Sequence, residues 1–452
     1  MILWNKEKTT DREVWEFTTG HDHEPDQQLL WADLAGTAAH AYMLGKTGLI
    51  SPSESKATLG FLRKLYRDCQ EGKLIIDKEA EDVHSYIEAI LSEALGETGK
   101  RIHTGRSRND QVLLALRLYM RREIGKLVRK MEVLFQLLMQ KSESHRDHFM
   151  PGYTHMQAAM PSTFGLWFSA FAESLTDDMR ALQYAYGVVD QNPLGSGAGY
   201  GSSFPVDREL TTRLLGFEGM NVNSIYAQMT RGKAEKAFAT AMASVAATLS
   251  KLSGDICLFS GDNFKFFYLP EEITTGSSIM PHKQNPDLAE LIRGHCNLMQ
   301  TLPFELSALT LNLPTGYHRD LQLTKETLFP AVDTLKKCLS MTELLIKHIR
   351  IKTGIEKDPR YQKIYSVEEI NRRVIKGVPF REAYMQVAAS IRSGAFSPDP
   401  PMKHTHIGST GNPGFQMIRN KFHHIRALIP HHEAEKAIHQ LMTPKSEKTQ
   451  HD

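Results

Sequence analysis

Cysteine is scarce in this chain: Cys69, Cys257, Cys296 and Cys338 stand far apart, with no CxxC pair. That spacing indicates neither a disulfide framework nor a zinc knuckle, and a reducing compartment, the cytoplasm, fits best. Net charge is equally sparse. Lys plus Arg number 54 against 52 Asp plus Glu, so a formal charge of +2 gives no general pull toward nucleic acid or an anionic membrane. Any anion specificity must be local. Uninterrupted apolar runs of spanning length are missing, and the opening Met1 to Lys8 becomes charged too soon for a secretory segment. Little reads as a strand, and no repeat is visible.

What is abundant is helical pattern. From Asp110 to about Gln140, apolar residues such as Val112, Leu116, Tyr119, Leu127, Met131 and Leu138 recur at threes and fours. Similar stretches run from Pro161 to about Tyr186, Lys233 to about Phe259, Pro286 to about Ala308 and Leu328 to about Ile349. Helices this long predict a mainly α fold, an elongated bundle, and their wide apolar stripes predict association between subunits. The expected division is an N-terminal domain over 1–109, a central bundle and oligomerisation core over 110–350, and a small helical C-terminal domain over 351–452. The tail Lys445 to Asp452 reads as disordered. The 20 histidines include spots such as His21/His23, His404/His406 and His431/His432, but none has metal-ligand spacing, so solvated or hydrogen-bonded histidines are expected.

Turn-forming residues cluster between the helical stretches, and the chemistry gathers there. Gly276-Ser277-Ser278-Ile279-Met280-Pro281-His282-Lys283-Gln284-Asn285-Pro286-Asp287 joins a small polar loop to a cation. Asn285 is a good N-cap and Pro286 suits the first helical position, so a surface loop before a capped helix is one reading. Capture and deprotonation of an anion is the other, since capping and anion binding use the same backbone groups. His103-Thr104-Gly105-Arg106-Ser107-Arg108-Asn109-Asp110-Gln111 admits the same two readings: N-capping by Ser107 or Asn109, or a carboxylate receptor. Pro151 to Gln157 holds a lone histidine in a turn, and Pro193 to Gly201 has glycine at every second place without the Gly-Lys-Ser/Thr of a phosphate loop.

The first of these blocks resembles the signature GSSxMPxKxNP of the fumarase/aspartase superfamily, and His103 to Gln111 resembles the HTGRSRNDQ segment of its argininosuccinate lyase branch. The resemblance covers most of residues 33 to 390. By it, Ser107, Arg108 and Asn109 bind substrate. The PGYTHxQ-like block would supply Thr154 and Gln157 as substrate contacts and His155 for proton movement, paired with Glu290 from the helix after the signature. Tyr317, Gln322 and Lys325, in a segment similar to YxxDxQxxK, would hold substrate together with Arg231 and Asn285. His84, in the EDxHxxxE-like element, would support the site, and the glycine run would shape it through close backbone approach.

The implied activity is reversible cleavage of argininosuccinate to arginine and fumarate in arginine biosynthesis. Ser277 would be the base, Lys283 the stabilising cation and His155 with Glu290 the acid. No cofactor or metal is implied. The partner would be the chain itself, as a homotetramer with shared active sites. The chain departs from the pattern at Met160, where Gln is usual, at Leu166, where His is usual, and in the expected loop Asn223 to Gly232, which lacks the usual acids. No substrate residue is carried over from Phe17 to Asp33. A modified argininosuccinate, another fumarate-releasing substrate such as adenylosuccinate, and a non-catalytic crystallin-like role are the alternatives.

Overall fold

A computed structural model describes residues 11–20, 22–77 and 80–443. The opening Met1 to Lys8, His21 and the tail Lys445 to Asp452 lie outside the described residues. The architecture is mainly α, as the periodicity predicts. Its spine is the helix Arg108–Ser144, 37 residues long. Ser107 starts it with a capping box: its Oγ accepts from Asn109 N at 3.2 Å, and Asp110 Oδ1 accepts from Ser107 N at 2.9 Å. Phe164–Val189, Lys233–Ser260, Asp287–Leu298 and Thr324–His348 pack around one another to complete the bundle. The Tyr119 ring stacks on Phe329 at 4.0 Å between centroids, joining the first and last of these helices. Lys233–Ser260 is long and apolar enough to cross a bilayer by composition, but here it spends that apolar surface on three bundle neighbours.

Five expectations need correction. The stretch from Pro286 to Ala308 is not one helix. Asp287–Leu298 gives way to a 3-10 turn, Met299–Thr301, and restarts as Leu302–Leu309, because Pro303 has no N–H to continue the ladder. Asn285 is not a cap. The residue before a proline is driven toward extended backbone, and Asn285 pairs across a two-residue ladder with Thr275. Pro286 flanks the helix rather than opening it, and Asp287 is the first helical residue.

The helix expected from Pro161 begins three residues later, capped by Thr163 Oγ1, which accepts from Leu166 N at 3.1 Å. Pro161 belongs instead to an antiparallel hairpin of Phe149–Thr154 and Gln157–Thr163, in which Pro151 faces Pro161 across the ladder. The segment Asn223 to Gly232 is not a loop throughout, since Asn223 caps a short helix, Ser224–Met229, by accepting from Tyr226 N at 2.9 Å.

Before the spine, Leu30–Lys46, Pro52–Gln70 and Val83–Leu95 wrap one end of the bundle. At the chain's far end, Phe415–Ala427 and His431–Met442 dock on the same body, with Phe422 stacked on Phe135 of the spine at 3.8 Å. One continuous apolar core therefore runs from Leu29 to Met442. Ser366–Ile375 and Phe380–Arg392 pair around a small separate cluster of Ile370, Ala383 and Val387.

Candidate active site

Three helices start at the wall of one cavity of about 350 Å³. Val83–Leu95 brings Asp82 and His84, the spine brings Arg108 and Asn109, and Thr324–His348 brings Lys325. Arg231 enters from just before Lys233–Ser260. Tyr317, Arg319 and Gln322 come from the turn leading into Thr324, and Asp22 and Asp26 close the remaining side. Helix starts present unpaired N–H groups and the positive ends of their dipoles, so their convergence suits an anionic ligand.

The cations are held rather than loose. Arg108 Nη1 donates to Asp82 at 2.6 and 2.7 Å and to Ser85 Oγ at 2.9 Å. Lys325, almost fully buried, reaches Asp26 at 2.7 Å and Asp22 at 3.0 Å. Arg231 lies 3.1 Å from Glu235 and donates to the Leu321 carbonyl at 2.8 Å. Arg319 grips the Thr18 carbonyl at 2.8 Å and Glu81 at 3.2 Å. Beneath them, His84 Nδ1 sits 2.7 Å from Asp33 Oδ1, which also accepts from Gln111 Nε2 at 2.9 Å. These contacts fix side chains that would otherwise lose rotamer freedom on binding.

The electrostatics follow from burial set against pairing. Burial raises Asp82, but the charges of His84 and Arg108 outweigh it and hold the carboxyl at about 2. Burial wins at Asp22, which is pushed up to about 6 although Lys325 pulls it down. Burial also lowers Lys325, yet Asp26 and Asp22 together hold it above the usual lysine range, so the cation persists. His103 is driven down to about 4 by burial and then by Arg106 and Arg108. It is therefore neutral near pH 7.

The groups that would do the chemistry lie elsewhere in the chain. Thr154, His155, Gln157, Ser277, Lys283, Asn285 and Glu290 do not line this cavity. His155 and Met156 form the two-residue tip of the Phe149–Thr163 hairpin, with φ of 51° and 59°. Positive φ at both central residues is the primed turn that matches strand twist, and it displays His155 at an exposed tip. The signature loop is a second hairpin. Thr275–Gly276 pairs with Gln284–Asn285, and the intervening residues project outward.

Within that hairpin, Ser277 Oγ accepts from Met280 N at 3.1 Å and Ile279 N at 3.4 Å. N–H donors on a hydroxyl oxygen favour its deprotonated form. Lys283 is exposed and has no ion-pair partner among the described residues. Glu290 is exposed as well, and no hydrogen bond or ion pair joins it to His155 among the described residues.

Of the expected substrate residues, the structure gathers Arg108, Asn109, Arg231, Tyr317, Gln322 and Lys325 in one place, over His84. Ser107 does not join them, since its hydroxyl caps the spine. Pattern reading misses Asp22, Asp26 and Arg319. The only signal was the i,i+4 pairing of Asp22 and Asp26, which looks like any acidic helix start. The glycine run Pro193 to Gly201 wraps a carboxylate of its own chain. Asp110 Oδ2 accepts from Gly195 N and Gly197 N, each at 2.9 Å, and Gly195 has a φ of +85° with Arg208 where a Cβ would go. Among the described residues no cluster of three or more His, Cys, Asp or Glu is placed to hold a metal ion.

A family model described as Lyase matches residues 4–300. An argininosuccinate lyase of Parabacteroides distasonis is 50% identical over 410 residues, covering 91% of this chain and 92% of that protein. The argininosuccinate lyase of Thermotoga neapolitana is 39% identical over 386 residues, covering 85% and 97%. Among solved structures, an EDDS lyase variant with bound fumarate is similar with a TM-score of 0.72 at 20% identity, covering 96% of this chain and 94% of that one. The class II fumarase of Schistosoma mansoni gives 0.69 at 18% identity, covering 84% and 88%. At such identities the two structures speak for a common fold.

Proposed function

Because the chain belongs to the argininosuccinate lyase family, within the fumarase/aspartase superfamily, we propose that it cleaves argininosuccinate reversibly to L-arginine and fumarate. One observation carries this reading beyond kinship: helix starts from separate parts of the chain converge on a cavity that holds Arg108, Asn109, Arg231, Tyr317, Gln322 and Lys325. A substrate with three carboxylates needs such a receptor.

In the proposed reaction, Ser277 removes the proton beside the succinyl carboxylate, and Lys283 with nearby N–H groups absorbs the charge that grows on that carboxylate. The electron pair then forms the fumarate double bond as the C–N bond breaks. His155, oriented by Glu290, returns a proton to the departing guanidino nitrogen. The N–H donors on Ser277 Oγ support its role as base, and Asn285 would steady the loop against substrate.

The separation of the two hairpins from the cavity supports a further part of the reading: sites are completed by neighbouring copies in a homotetramer. Leu291, Leu298, Phe304 and Leu311 are each more than half exposed on or beside the bundle helices, an apolar surface that association would bury. Following fumarate absorbance with argininosuccinate, adenylosuccinate and aspartate as substrates tests the reaction, and turnover of adenylosuccinate or aspartate instead would overturn it. Light scattering with activity tests the assembly, for which a fully active monomer is the disproving result.

A further inference from the structure

A second cavity, of about 300 Å³, opens between the Leu30–Lys46 and Pro52–Gln70 helices, the spine and the last helix, His431–Met442. None of the candidate catalytic or substrate residues lines it. Arg122, on its wall, lies 14 residues along the spine from Arg108, about 20 Å at the helical rise. Apolar surface comes from Leu118 and Ile438, Tyr66 lies at one side, and the wall's other charges are already paired, Arg121 with Asp190 at 2.8 Å and Glu435 with Arg129 at 3.0 Å.

Three buried nitrogens of wall residues make no hydrogen bond among the described residues: Trp31 Nε1, His431 Nε2 and Arg122 Nε, the last lying 3.7 Å from Glu123 Oε1 in an ion pair. Trp31 and His431 are 5% and 1% exposed, so they are not simply dipping into solvent. Leaving a buried polar group without a hydrogen bond is destabilising, so a ligand that completes these bonds is favoured.

The surroundings hold these groups in place. The Arg122 guanidinium stacks over the Trp31 ring at 3.8 Å. Gly125, on the spine, leaves room for the His431 ring, which a Cβ there would meet at 3.0 Å. A helix-interior glycine is destabilising relative to alanine, so the spine gives up some helix stability where it seats His431. His431 Nδ1 faces the Ile429 carbonyl at 3.2 Å and so carries the ring proton. Burial lowers the imidazole pKa, leaving Nε2 as a bare acceptor near neutrality. The groups that lack a hydrogen bond are thus two donors, one of them on a cation paired only at 3.7 Å with Glu123, and one acceptor, beside the apolar surface of Leu118 and Ile438.

We propose that this cavity binds a small α-amino acid with an aliphatic side chain, away from the catalytic centre. Its carboxylate accepts from Trp31 and Arg122, its ammonium donates to His431, and its side chain covers Leu118 and Ile438. The test uses the full-length protein labelled with fluorotryptophan and titrated with L-leucine, 4-methylpentanoate and isopentylamine, followed by fluorine NMR. The Trp31 signal is identified by its loss in Trp31→Phe.

The expected result is a saturable shift of that signal with L-leucine, at least about tenfold weaker for either analogue that lacks one charged end. Calorimetry should show leucine binding weakened by a similar factor in Trp31→Phe and in His431→Phe, with unliganded turnover unchanged in Trp31→Phe. Equal binding of leucine to wild type and to a folded Trp31→Phe protein would overturn the proposal. So would a wild-type Trp31 signal that never moves, a readout that needs no variant fold.

Discussion

The cavity and the signature hairpin handle charge in opposite ways. In the cavity, every cation described above is already bonded: Lys325 to two carboxylates, Arg108 to Asp82, Arg231 to Glu235 and a carbonyl, Arg319 to a carbonyl and Glu81. In the hairpin, Lys283 stands exposed, and Ser277 receives hydrogen bonds from backbone alone. The first region is preorganised, so a ligand there would meet a geometry that is already fixed. The second gains its electrostatic strength only when water leaves. Removing a hairpin charge should therefore alter turnover and spare the fold, whereas removing a cavity cation should damage both.

The largest effect expected from that contrast is on Lys283→Met, with Ser277→Ala close behind. Each should lower turnover on the order of a hundredfold or more. Circular dichroism should stay at the wild-type level, and a Ser277→Ala enzyme with near-normal turnover would remove the proposed base. Next comes Lys325→Met, which strands Asp22 and Asp26 in a buried site. Denaturant unfolding should show a loss of about 3–5 kcal/mol together with lost activity. An unaltered midpoint would mean that the ion pairs are not structural. Gly195→Ala probes the backbone instead. With φ at +85° and Arg208 in the way, it should cost roughly 1–3 kcal/mol, read from the same unfolding curves.

The smallest effect is a pH signature inside the cavity. Asp82, near 2 in the folded protein, adds stability above its unfolded value of about 3.8, and that contribution fades as pH falls toward 2. Asp22, near 6, has the opposite sign: what it contributes below about 3.8 is lost as pH rises through 6. Asp22→Asn should accordingly gain on the wild type between about pH 4 and pH 6. Parallel midpoint-against-pH curves for the two proteins would show that Lys325 compensates fully.

Where one helical face meets water, the sequence speaks plainly. Lys233 to about Phe259 is expected and Lys233–Ser260 found, because polar residues mark the side away from the core. Leu30–Lys46 went unseen for the converse reason: most of its residues are buried, so no polar stripe sets a period. The Phe149–Thr163 hairpin was hidden by its two prolines and by a turn without Asn-Gly. At the cavity, Arg108-Asn109 is legible as a helix start, and the structure places both residues on the cavity wall. Asp22 and Asp26 were not, because their meaning depends on Lys325, some 300 residues away in sequence and visible only in the packed structure.

The turn at His155-Met156 carries a practical lesson for anyone stabilising this enzyme. Two non-glycine residues in left-handed backbone are an obvious target for replacement by Asn-Gly, and such a swap should raise the melting temperature. The thermally improved protein would then have traded away its proposed proton donor, so screens that score heat resistance alone would enrich for dead catalysts.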